Sequence, residues 1–306
     1  MSSDASGLGG AEHSGSGRLA AIAAVTCWSV GDVMVASLDM PGLQMAFWRL
    51  LLGAVLYGAA LFGGGRRISL QTVRLVAPAG VLIGLQLGTF FVAIHSTTVA
   101  NATTIGVLQP LVLMVVASRR FREEIGTWLI GASMVAIGGV VLVMFGAGAE
   151  VGVNLRGDTI ATLAMLLFAA YFMVVKDVRN RVDTFTLQTV SMAVGALVVL
   201  PLAAFDAGTI AVPFPTGTQW AWLAGLVAVP GTGHLLMNWA HLYIPLSLAG
   251  MLTLSIPVIA GAGAWMVLGQ QVNSIQGLGM ALVIGVLAMV VRRDARPMVA
   301  TGNSGA

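Results

Sequence analysis

Residues 103–116 read TTIGVLQPLVLMVV, an apolar run interrupted by Gln109 and Pro110. Proline removes a backbone donor and clashes with the preceding turn of a helix. Slid against itself by 147 residues, the chain repeats the feature: VAIHSTTVANATTIGVLQPLVLMVVASRRFREE (92–124) falls on WAHLYIPLSLAGMLTLSIPVIAGAGAWMVLGQQ (239–271). Pro110 lands on Pro257, Ala102 on Ala249 and Glu123 on Gln270. The helix breaker therefore occurs twice, and its meaning depends on the solvent around it.

Composition identifies that solvent. Of 306 residues, 58% are hydrophobic and 9% charged, against about 25% charged in soluble chains, and the mean hydropathy is +0.93. So few charges cannot cover a water-soluble surface. The lone Cys27 excludes a disulfide framework or a cysteine-rich metal site within one chain. A net charge of +3 rests on 14 arginines and one lysine clustered between apolar segments, with no basic face for nucleic acid.

A membrane-spanning helix needs about 20 mainly apolar residues, and ten such spans are predicted over 18–38, 44–63, 74–94, 99–117, 125–145, 157–176, 184–204, 218–241, 246–268 and 274–291. Residues 1–17, MSSDASGLGGAEHSGSG, read as a disordered cytoplasmic tail, and 292–306 as a cytoplasmic C-terminal tail. A cleaved signal peptide is the rival reading of the first span, but its apolar region holds Asp32 and its leader Asp4 and Glu12 rather than a basic cluster. With both termini inside, 13 of the 15 basic residues fall on the cytoplasmic side, as the positive-inside rule requires. Five spans per half is an odd number, so the second half enters the membrane from the opposite side. The fold class is an all-α integral membrane protein of ten helices, built as two inverted five-helix repeats over 18–145 and 157–291.

The two prolines then acquire a function. Carbonyls freed near the midplane, in matching helices of inverted halves, commonly line a substrate site. Gln109-Pro110 and Ser255-Ile256-Pro257 are expected to face a central cavity walled by the first, third, fourth, sixth, eighth and ninth spans, although proline in membrane helices also serves packing alone.

At this point the chain resembles the drug/metabolite transporter superfamily, EamA type. The carriers are the first span, AAVTCWSVGDVMV, the arginine of the second, QMAFWRLLLGA, and the segment LQPLVLMVVASRRFREEIGTWLIGASMVAIGGVVLV, followed by GDTIATLAMLLFAAYFMVVK and LSIPVIAGAGAWMVLGQQVNSIQGLGMALVIGVLAMVV. The resemblance covers nearly all of 18–291 and implies two five-helix repeats and transport of small metabolites, most often amino acids or related organic solutes, frequently by export. The family usually places a Gly-Glu pair after the proline-containing helix; here the positions hold Arg122-Glu123 and Gly269-Gln270.

Ionisable groups within spans are costly and usually face the bundle interior or a wet cavity. Asp32 and Arg49 flank the hairpin turn at Pro41 at equal distance, about 9 Å below the outer interface at 1.5 Å per residue, so the pair can meet. It reads either as a structural ion pair or as a site in which Arg49 holds a substrate carboxylate or Asp32 takes up a proton. His234, Asn238 and His241, spaced by four and three, share one helical face, with His241 expected at the cytoplasmic interface. Pro230, Gly231 and Gly233 loosen the same helix. Gln86 and Tyr171 are weaker candidates, more in keeping with interhelical bonds. Gly80, Gly84 and Gly88 form a small-residue face, within a protomer or between two copies in a homodimer.

The predicted function is a secondary transporter that moves a small organic metabolite across the cytoplasmic membrane by alternating access. An enzyme is the rival class, but neither HExxH nor a nucleophile elbow is present; a scaffold subunit would leave the repeat unexplained. No cofactor or catalytic residue is predicted. Partners are the metabolite and the lipid bilayer, with the proton open as coupling ion.

Overall fold

Lipid offers no hydrogen-bond partner to a backbone, so apolar runs of this length close their bonds internally as helices. The computed structural model describes residues 5–96, 105–146, 155–268 and 271–294, which form helices and turns and no strand. The elements are α1 (Ala5–Ser37), α2 (Gly42–Gly63), α3 (Leu70–Ser96), α4 (Gln109–Arg120), α5 (Thr127–Gly146), α6 (Leu155–Val178), α7 (Thr184–Asp206) and α8 (Gly217–Leu226). A π-helical segment, Val227–Gly231, joins α8 to α9 (Thr232–Ala240), followed by α10 (Leu246–Thr253), α11 (Ile256–Leu268) and α12 (Ser274–Asp294).

Nine stretches among the described residues are long and apolar enough to cross a membrane. Their bounds fall within four residues of the predicted spans, except that the stretch answering to the predicted span 246–268 is only Leu246–Gly263. The span expected over 99–117 lies partly on residues 97–104, outside the described residues; its later part is α4. One expectation needs correction: α1 begins at Ala5, within the segment read as a disordered tail.

The connections gather at two ends. At one, Arg18 of α1 pairs with Asp294 at the end of α12, Arg66 after α2 with Asp183 before α7, and Arg120 at the end of α4 with Asp177 near the end of α6. At the other, Gln44 and Trp48 donate to the Pro213 carbonyl, Gln219 to that of Asp39 and Asn273 to that of Gly146. Between the ends, α2 lies along α7, α5 along α12 and α4 along α10, while α3 packs on α6 as α1 packs on α8 and α9. The glycine face of α3 is used inside the protomer: a Cβ on Gly84 would stand 2.7 Å from the Gly195 Cα of α7, and one on Gly88 3.1 Å from Leu43 of α2.

Arg122, in the link from α4 to α5, has φ 55°. A left-handed conformation costs an L-residue about 1–2 kcal/mol, whereas glycine adopts it freely at an entropic cost of about 0.5–1 kcal/mol. Arg122→Gly should therefore raise stability by about 0.5–1 kcal/mol, read as a higher melting temperature in detergent; a lower one would show that the side chain itself stabilises the link.

Candidate functional site

The helix containing Pro110 and that containing Pro257 break at corresponding places. Val107 and Leu108 form a turn before α4, and Leu254 and Ser255 one before α11, at the same offset of 147 that aligns the sequences. The bonding agrees: Leu108 N–H donates to Ile105 O as Ser255 N–H does to Leu252 O, and Val112 N–H to Leu108 O as Ile259 N–H does to Ser255 O. A third interruption lies in the π-helical segment, where Pro230 cannot donate; such bulges are frequent at functional sites. Its ring seats Gly31 of α1, where a Cβ would lie 2.7 Å from Pro230 Cβ.

These interruptions border one cavity, with about 1000 Å³ of space free of atoms, its mouth included. Its walls come from α1, α3, the segment before α4, α6, the π segment and α9, and α10 with α11; Arg49 adds α2, which the expected walls did not include. Asp32, Arg49, Gln86, Gln109, His234 and Pro257 line it. The other four candidates do not. Pro110 packs behind the wall against Gly250 of α10. Ser255 donates to Leu252 O of its own turn, and Thr253 takes its place in the lining. Tyr171 Oη donates to Asn238 Oδ1 at 2.9 Å and Asn238 Nδ2 to Gln188 Oε1 at 2.9 Å, a buried chain joining α6, α9 and α7.

Arg49 is 3% exposed, yet its Nε and Nη2 have no hydrogen-bond partner. Its guanidinium lies over the Phe91 ring, 5.5 Å from the centroid. No ion pair or hydrogen bond joins it to Asp32, so the expected pair shares the cavity without closing on itself. Nε and Nη2 form one edge of the guanidinium fork, which matches the two oxygens of a carboxylate. Gln109 Nε2, Gln86 Oε1 and His234 Nδ1 are likewise buried and unpartnered. The cavity thus combines a guanidinium edge suited to an anion with the carboxyl group of Asp32 and scattered neutral polar groups.

Aromatic rings bound the space. Trp28 meets His234 at 5.0 Å and Phe168 at 5.5 Å between ring centroids, and Phe168 meets Phe172 at 4.7 Å. His241 belongs to this packing and not to the interface where it was expected: it is 1% exposed, 4.8 Å from Phe172, because its side chain turns inward where α9 ends. Trp28, Phe90, Phe91, Met165 and Phe168 line the cavity without having been singled out in the sequence. Trp28 precedes Asp32, and Phe90 follows Gln86, by four residues, so helical spacing from the polar candidates would have found them.

Among the described residues the structure is a helical bundle with nine stretches long and apolar enough to cross a membrane, around a cavity bordered by broken helices. The EamA-like transporter family matches residues 15–145 and again 155–292, so the chain belongs to that family and to transporters, not enzymes. Among its relatives is the pseudopaline exporter CntI of Pseudomonas aeruginosa strains UCBPP-PA14 and PAO1, 23% identical over 275 residues, covering 88% of this chain and 93% of the relative. A solved crystal structure, 18% identical, superposes with a TM-score of 0.74 over 92% of this chain and 99% of its own, a likeness of fold.

Proposed function

We propose that this protein is a secondary transporter that exports a small organic metabolite bearing a carboxylate, an amino acid or related solute, by alternating access. On this reading ten spans form two inverted five-helix repeats, 18–145 and 157–291, with both termini cytoplasmic. The observation that carries the reading is the pair of helix breaks at one offset, both bordering the cavity that holds Arg49's open edge. The packing supports it: the corresponding helices α2 and α7, and α5 and α12, touch each other, α4 meets α10 of the corresponding span, and α3 meets α6 as its counterpart α8–α9 meets α1. A two-fold relation between halves generates reciprocal contacts of this kind. Export is favoured by the relatives' name as exporters.

In this mechanism Arg49 holds the substrate carboxylate, Asp32 receives either its amine or a coupling proton, and the Trp28–Phe168 rings pack on its apolar part. One half rocks against the other about the cavity, and the breaks before Pro110 and Pro257 let each helix bend without leaving a ladder bond unmade. Profiling the medium of cells that overproduce the protein tests this. An extracellular excess of one or a few carboxylates is expected, reduced several-fold by Pro110→Ala and by Pro257→Ala at unchanged membrane abundance. Loss of membrane abundance with no change in export per molecule would make the prolines elements of packing alone.

A further inference from the structure

The turn between α9 and α10, residues 241–245, lies at the end of the bundle where Arg18 meets Asp294. The Nζ of Lys176, in the last turn of α6, donates to His241 O at 2.8 Å and Ile244 O at 2.6 Å. The next helix, α10, has Pro245 at its N-cap position, with no side-chain acceptor for its first N–H groups. The acceptor comes from the other half of the chain. Glu123, in the link after α4, receives Leu246 N–H at 2.7 Å, Ser247 N–H at 3.1 Å and Ser247 Oγ–H at 2.7 Å. A helix start leaves its first amides unpaired, and here they are satisfied only while the two halves touch.

Ile244 and Leu246 are 1% and 0% exposed, and the Trp28, Phe172 and His241 rings pack between this turn and the cavity. This end of the pathway is closed. We infer that Glu123 is an inter-half latch: its carboxylate holds the start of α10 shut, Lys176 fixes the turn that receives it, and opening at this end requires the three Glu123 bonds to break. The inference rests on the alternating-access reading above. The latch is one-sided in sequence, because Gln270 stands where the offset of 147 would place a second glutamate. The resting protein therefore favours the state with this end closed.

Pulsed electron–electron distance measurement on the full chain in nanodiscs tests this without a substrate. In a Cys27→Ser background, spin labels at Glu124→Cys and Arg181→Cys, both exposed, report the separation of the halves at this end. The parent should show one short distance. Glu123→Gln should increase the share of a longer distance several-fold, whereas Asp177→Asn, which removes an exposed ion pair with Arg120 between the same halves, should leave the parent distribution unchanged. If Glu123→Gln cannot be purified folded, Ser247→Ala removes one of the three bonds and should shift the distribution the same way, by less. Parent distances in the folded variants would overturn the latch. Longer distances in a protein that moves no solute would keep the latch and sink the transport reading; transport with unaltered distances would do the reverse.

Discussion

Arg49→Met is expected to abolish transport, lowering the initial rate at least about a hundredfold, while the protein still folds and inserts. Two charge-assisted hydrogen bonds contribute about 1.5–3 kcal/mol each, and about 1.4 kcal/mol is a factor of ten. Folding is spared because Arg49 has no partner of its own at Nε and Nη2, so methionine of similar length orphans no acceptor there. The buried charge it removes is costly to hold in lipid, and the melting temperature should stay level or rise. Arg49→Lys keeps the charge without the fork and should lose about tenfold. Initial rates in vesicles, with melting curves of the same preparations, check both variants; wild-type kinetics in Arg49→Met would remove this residue from the site.

Gly84→Val is expected to separate α3 from α7. A Cβ at Gly84 would lie 2.7 Å from both the Cα and the carbonyl oxygen of Gly195, and backbone cannot turn aside as a side-chain end can. Helix association in lipid rests on close van der Waals packing because no hydrophobic force acts between helices there, and overpacking of this kind costs about 3 kcal/mol. Gly131→Val makes the same change where a Cβ meets nothing within 4 Å, and should be close to neutral. Thermal unfolding of both in one detergent decides the point: equal melting temperatures would show that α3 and α7 are not held at this distance.

Much of this arrangement was legible in the sequence because lipid enforces simple rules. Apolar length located the spans, and the offset that set Pro110 on Pro257 also predicted where both helices break. Depth counting put Asp32 and Arg49 at one level but could not tell a closed ion pair from two groups facing a shared space, since that depends on rotamers set by neighbours such as Phe91. The aromatic walls were easily passed over because Trp28 and Phe168 are apolar residues in apolar spans; for Trp28 only its spacing of four from Asp32 marks an inward face. Glu123 showed only as a family position; its bonds to α10 join residues more than 120 apart in sequence, a closure that no local pattern encodes. His241 was misplaced because depth along a helix does not fix the direction of a side chain.

The most direct test of the central claim is solute exchange by the purified protein in proteoliposomes, using a pooled panel of labelled amino acids and related carboxylates with and without an imposed pH gradient. Saturable movement of at least one carboxylate, lost in Arg49→Met, is expected, with gradient-driven accumulation marking the proton as coupling ion and simple equilibration marking facilitated exchange. Movement of no solute under either condition, by protein that is folded and correctly inserted, would contradict it.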